Sequence, residues 1–242
     1  MKKFLLVLAG GLLAGGCKET TYLEPADAGR GYFPAEVGRY RIYQVLDTTW
    51  VNYARTSRAY QVRERLVASY SDAAGQPVFR VESARRADAG AAWVADSVFT
   101  LSADERRVVL TRGTRRSVEL VFPVREALAW NLSAYANAGQ TDAADTTRQY
   151  VKGANGQPFT LPAVPGYPAK AFPNTLTTLN IGSAAVRNNC ERRSYRQVFA
   201  AGVGPVYRRG VNFYFQANNT CEPDLGPNQG VSHTEVLVEA GP

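Results

Sequence analysis

The chain has one histidine, His233, one methionine and three cysteines in 242 residues. A single histidine excludes a zinc site built on a histidine pair, and no Cys-x-x-Cys is present to replace it. Ser-His-Asp or Cys-His chemistry would have to run through His233. That residue sits in a polar stretch before an expected last strand, where a surface or strand-edge role suits it better than a general base. No glycine-rich loop opens a helix to cradle phosphates. Asp104-Glu105 are adjacent acids, but they fall in an expected turn and read as solvated. Scattered carboxylates that meet only in space remain open as a glycoside-cleaving pair. These absences leave no catalytic residue, no metal site and no cofactor to name. The chain therefore reads as a non-enzyme.

The hydrophobic share of 45% and charged share of 20% are those of a folded globular chain. The net charge is +7, and arginine supplies most of the cations. They fall in doublets, Arg85-Arg86, Arg106-Arg107, Arg115-Arg116, Arg192-Arg193 and Arg208-Arg209, scattered along the chain. A nucleic-acid binder would gather its charge on one face, so no nucleic acid is expected. The doublets read as solvated surface, with a site for an anionic ligand or lipid headgroup as the alternative.

Met1-Lys2-Lys3 is a basic head. Phe4 to Leu13 is apolar, and Ala14-Gly15-Gly16 are small residues before Cys17. The apolar run is shorter than the ~20 residues a spanning helix needs, and the order is that of an export signal. It resembles a bacterial lipoprotein signal. That resemblance implies cleavage after Gly16, acylation of Cys17 and a membrane partner reached through the lipid. With Lys18 rather than Asp after the cysteine, it points to the outer membrane. An ordinary secretory signal is the competing reading. Residues 1–16 are thus expected as signal, 17–31 as lipidated cysteine and flexible tether, and 32–242 as the folded part.

With Cys17 assigned to lipid, Cys190 and Cys221 remain. An exported chain can bridge them, and a nucleophilic thiol is the rival reading. Aromatic and β-branched stretches separated by turn residues run the length of the folded part. Strands are expected near 37–51, a hairpin over 58–84, and a second hairpin from Trp93 to Thr111. Further strands are expected at 117–122, 130–136, 175–181, 194–200, 203–215 and 233–238. Five prolines between Pro158 and Pro173 predict a long loop without strands. The fold class is all-β and mainly antiparallel. It should be a curved sheet forming a barrel, half-barrel or two packed sheets, with few or no long helices. Two similar openings, at Phe33-Pro34 and Phe122-Pro123, allow two sub-parts with a seam near 125–130. Tyr40, Tyr43, Trp50, Trp93, Trp130, Tyr207, Phe213 and Phe215 should fill the core or line a cavity.

Phe33-Pro34-Ala35-Glu36-Val37-Gly38-Arg39-Tyr40, soon after the cysteine, resembles the opening of Bacteroidota-type envelope lipoproteins of unknown function. The likeness continues at Phe122-Pro123-Val124, at Phe172-Pro173-Asn174, and from Ala201 to Tyr207. It implies a β-rich envelope domain and transfers no catalytic residue. Asp47-Thr48-Thr49, Asp96-Ser97-Val98 and Asp145-Thr146-Thr147 resemble the short O-glycosylation motif of such bacteria, which would place sugars on Thr48, Ser97 and Thr146. The sequence thus describes an anchored binding or structural module. Its partner would be an unknown envelope protein, a glycan or an apolar ligand. A carrier of lipid in a curved sheet is the alternative, and a carboxylate hydrolase stands behind it.

Overall fold

The structure is a computed structural model that describes residues 28–136, 147–180, 186–187, 190–217 and 220–242. The strands, in chain order, are β1 (Tyr40–Val51), β2 (Ala54–Ser71), β3 (Pro77–Arg86), β4 (Val94–Ala103), β5 (Arg107–Arg112), β6 (Arg115–Val121), β7 (Ala129–Asn131) and β8 (Thr147–Tyr150). They continue as β9 (Gln157–Leu161), β10 (Lys170–Asn180), β11 (Val186–Arg187), β12 (Glu191–Ala200), β13 (Gly204–Tyr214), β14 (Gln216–Ala217), β15 (Thr220–Cys221) and β16 (Gln229–Gly241). Two short 3₁₀ turns, Arg30–Tyr32 and Pro223–Leu225, are the only helical pieces among the described residues.

Among the described residues all strand pairings are antiparallel, and fourteen strands share one sheet in the order β6-β5-β4-β3-β2-β1-β16-β13-β12-β10-β8-β7, with β9 on β10 and β11 on β12. The sheet curls into a nearly closed barrel. Its two edges meet where the Val118 amide donates to Leu132 O at 2.8 Å and the Trp130 indole donates to Val118 O at 2.8 Å. Tyr150 adds a clasp, its hydroxyl bonding both the amide and the carbonyl of Val121. Joining the edges in this way satisfies backbone groups that an open sheet would leave unpaired. The segment 122–128 links β6 to β7, the two edge strands.

Expected and observed strands agree closely through the first half of the chain, including both early hairpins. The proline-rich stretch does not. Pro158 lies in β9 and Pro173 in β10. β9 pairs with β10 alone, so the missing N–H of Pro158 interrupts no second ladder. Pro173 sits at the register shift between Phe172 and Thr175, where a bulge tolerates it. The excursion folds back over the wall, setting Phe159, Leu161, Val164 and Phe172 against Val198, Val206 and Val236.

The barrel's two ends differ. At one, residues 28–35 cross the opening. Val124 N donates to Ala28 O at 2.9 Å, Gly202 N to Gly31 O at 2.8 Å, and Tyr32 Oη to Asn174 Oδ1 at 2.5 Å. Phe33 enters there and joins Leu66, Val81, Phe99, Leu101, Leu120, Tyr150, Leu176 and Phe199 from around the wall. This apolar plug seals the lower interior. Arg41 lies beside it under Gly204, where a Cβ would meet the Arg41 guanidinium at 2.6 Å. Burial lowers the pKa of Arg41, and its guanidinium is held by the carbonyls of Val203 and Pro34 and by the Phe33 ring. The opposite end carries the Cys190–Cys221 disulfide, with Cα atoms 5.0 Å apart.

Candidate functional site: a charged layer below the barrel mouth

Side chains alternate along a strand, and above the plug the inward positions change from apolar to charged. In β2 the inward series Tyr60, Val62, Glu64 continues into Leu66 of the plug. Arg208 of β13 lies opposite Glu235 of β16 on one side and Gln197 of β12 on the other. Glu119 comes from β6 and Arg148 from β8. Together with Tyr195, Arg85, Asp96, Arg112 and His233 these positions surround a cavity of about 290 Å³; Arg148 and Gln197 stand behind its wall. No single segment supplies the site, which exists only once the barrel has closed.

Arg208 is the hub. Its Nη1 is 2.7 Å from Glu235 Oε2 and 3.5 Å from Glu64 Oε1. Arg112 takes the same Glu64 oxygen at 2.9 Å. Arg148 pairs with Glu119 at 3.0 Å and stacks over Tyr195 at 4.5 Å. With its amide turned to suit its neighbours, Gln197 donates to Glu119 at 3.2 Å and accepts from Arg208 Nε at 3.1 Å, joining the two ion pairs. The layer grades outwards. Side-chain exposure is 2% at Arg148, 10% at Arg208 and 15% at Glu235, then 46% at His233 and 52% at Arg85.

Burial alone would raise the Glu235 carboxyl, but Arg208, helped by His233, holds it down at about 2. Burial likewise works against the charge on Arg208, and Glu235 and Glu64 outweigh it, raising the guanidinium well above its ordinary value. His233 is bracketed by Glu235 at 2.9 Å and Asp47 at 2.5 Å. Its pKa is raised, chiefly by the bond to Glu235, against the opposing effect of burial. Tyr60 donates to Asp47 at 2.9 Å, and burial with that bond pushes the phenol up to about 12. Every carboxylate in the cavity therefore has a cation at hand, and the site presents fixed donors and acceptors of both signs.

His233 is on a central strand rather than an edge, half-exposed at the rim. Asp104 lies in the expected turn and accepts from the amides of Arg106 and Arg107. Cys190 and Cys221 form the expected disulfide. Thr48 is 6% exposed, with its hydroxyl 3.1 Å from that of Ser57, whereas Ser97 is exposed. Cys17 and Thr146 lie outside the described residues. Tyr43 is fully buried, Trp130 sits at the barrel's closure, and Tyr207 and Phe213 line an outer groove. Glu64, Glu119, Arg148, Gln197, Arg208 and Glu235 were not singled out as a group by sequence reasoning. The usable signal was the arginine doublet. On a strand two consecutive residues face opposite ways, so Arg208-Arg209 and Arg85-Arg86 each send one guanidinium inwards.

No protein-family profile matches the chain, and no curated protein does. Two solved structures are similar to it over 87% of this chain and 98% of their own. One is a "putative lipoprotein" from Parabacteroides distasonis ATCC 8503, with TM-score 0.39 and 8% identity. The other is a "putative exported protein with YmcC-like fold" from Bacteroides fragilis NCTC 9343, with TM-score 0.33 and 12% identity. Both likenesses are too coarse to carry a function or a site residue to this chain.

Proposed function

We propose that the chain is an envelope lipoprotein, tethered through Cys17 at the outer membrane, whose barrel is a non-enzymatic binding module with its charged mouth as the binding face. The observation that carries this reading is the polarity of the barrel. Residue 28 enters at the plugged end, and the charge-lined cavity opens at the other. A tether on the N-terminal side would leave the mouth facing away from the membrane.

A glycan is the occupant whose chemistry fits best. Its hydroxyls both donate and accept, and the rim offers Arg85, Arg112, Asp96 and Asp47 beside the Tyr60 and Tyr195 rings. An apolar carrier would need a largely apolar cavity, and this one is lined with ionised groups. A carboxylate hydrolase needs a general acid that holds its proton near neutral pH. Glu235 does not, and Arg208 stands between it and Glu64.

Two measurements test the proposal. Intact mass and membrane fractionation of the chain in its own host, with a Cys17→Ala control, should show acyl mass and membrane recovery lost in the control. A glycan array probed with wild type and with Arg85→Gln/Asp96→Asn should show binding that the rim variant loses. A soluble, unacylated product would overturn the anchor. An empty array, or equal binding by both proteins, would overturn the glycan-binding mouth.

A further inference from the structure

A second groove lies on the outside of the barrel wall. Tyr207, Arg209, Val211 and Phe213 alternate outwards along β13, and Arg192, Ser194 and Arg196 do so along β12. They enclose a groove of about 440 Å³ that also reaches Leu179 of β10. Arg196 is directly opposite Arg209. Like charges so placed across an antiparallel pair oppose each other, and Arg192 adds a third on the same face. No carboxylate lines the groove, and none is within ion-pair distance of these three arginines among the described residues.

The outer groove around Trp93 differs. There Arg86 is held by Gln61 Oε1 at 2.7 Å, and Glu239 shares the wall. Among the described residues, the groove at Arg196 keeps three exposed guanidinium groups without any such compensation. Its walls are also ordered. Arg192 lies over the Phe215 ring at 5.8 Å and Arg196 over Phe159 at 5.1 Å. Phe213 meets Trp50 edge-on at 4.8 Å across Gly230. A Cβ on Gly230, whose φ is +153°, would come within 2.9 Å of the Phe213 ring. The Cys190–Cys221 disulfide braces the groove's upper end, where Phe215 N donates to Cys190 O at 2.7 Å.

We infer that this groove is a binding site for a phosphate monoester, with the oxyanion held between Arg196 and Arg209, Arg192 adding positive charge further along β12, and the rest of the ligand resting on Tyr207 and Phe213. Guanidinium forks match tetrahedral oxyanions in charge and geometry. The aromatic wall selects a phosphate attached to a ring or sugar over the free ion. The source is a soluble phosphorylated molecule or a lipid headgroup, which present the same chemistry. The site is independent of the mouth, and its test does not depend on the glycan array.

The test is calorimetric titration of the full mature chain, carrying Cys17→Ala, with phenyl phosphate and with inorganic phosphate. Co-sedimentation with phosphatidylcholine vesicles, with and without phosphatidic acid, runs alongside. Phenyl phosphate should bind saturably and more tightly than inorganic phosphate. Arg196→Gln and Arg209→Gln should each weaken it about tenfold or more. Arg209→Gln should melt no lower than wild type, because it removes a like-charge contact and no ring contact. Arg115→Gln, on a distant strand, should bind as wild type does. Sedimentation that needs phosphatidic acid and is lost in Arg196→Gln would assign a lipid source, and phenyl phosphate binding alone a soluble one. Absence of saturable binding in both assays, or equal binding by wild type and both groove variants, would overturn the site.

Discussion

Removing the hub of the charged layer should cost about 3 kcal/mol at neutral pH, and the loss should fade in acid. Consider Arg208→Met. The substitution keeps a long apolar stem but deletes the cation 2.7 Å from Glu235 and 3.5 Å from Glu64. Breaking a buried ion pair by removing one partner typically costs ~3–5 kcal/mol. The proton equilibrium gives a second figure. Glu235 is held at about 2 against an ordinary 4.5, and at ~1.4 kcal/mol per tenfold in proton affinity that gap amounts to roughly 3 kcal/mol. Arg208 is the largest contributor holding it down. Glu64 keeps Arg112 and Glu235 keeps His233, which argues for the lower end of the range. A carboxyl with a depressed folded pKa stabilises fully above its unfolded value and loses that contribution as pH falls towards the folded one. The deficit of the variant should therefore be full at pH 7 and less than half as large near pH 3. Urea unfolding at both pH values, read as midpoint times slope, measures it. A deficit of the same size at both would show that Arg208 acts by packing, and the electrostatic reasoning would be wrong. No deficit at pH 7 would refute it more directly.

Three further outcomes are expected. The Hε1 resonance of His233 should titrate above 6.5. In Asp47→Asn/Glu235→Gln the midpoint should fall back, and the stability His233 lends, present below its unfolded pKa, should vanish as pH rises through the folded one. An unchanged midpoint in the double variant would disconnect His233 from these acids. Reducing the Cys190–Cys221 disulfide, which closes a 31-residue separation, should lower stability by ~3–4 kcal/mol on the chain-entropy model, checked by unfolding with and without reductant. Tyr150→Phe removes the hydroxyl that clasps Val121 at the barrel's closure and should cost ~1–2 kcal/mol, with amide exchange faster along β6 and β7 than along β13.

The sheet was legible because its signals are local. Tyr60-Val62-Glu64, the turn 72–76 and Pro77 to Glu82 mark a hairpin whose partners are sequence neighbours. The prolines misled because a strand's tolerance for them depends on whether a neighbour needs the N–H, which is a property of sheet order. The charged layer was hidden for a related reason. Glu64, Glu119, Arg148, Arg208 and Glu235 come from five strands, and each taken singly looks like a solvated polar position. Only barrel closure turns them inwards together. The doublets carried a face assignment all along, but reading it requires knowing that both residues sit on a strand.

The place of β16 has a consequence for how the molecule is made. β16, which follows every other described strand in sequence, lies in the middle of the sheet, between β1 and β13. Before it arrives, β1 to β6 and β7 to β13 are two separate meanders, each with a bare inner edge ready to pair with whatever is nearby. The barrel cannot be zipped up from its N-terminus as it emerges. Folding waits for the thirteen-residue strand β16, Gln229–Gly241, to join two waiting halves. Truncations that remove β16 should therefore be far more damaging than their length suggests, because they leave two half-sheets with nothing to join them.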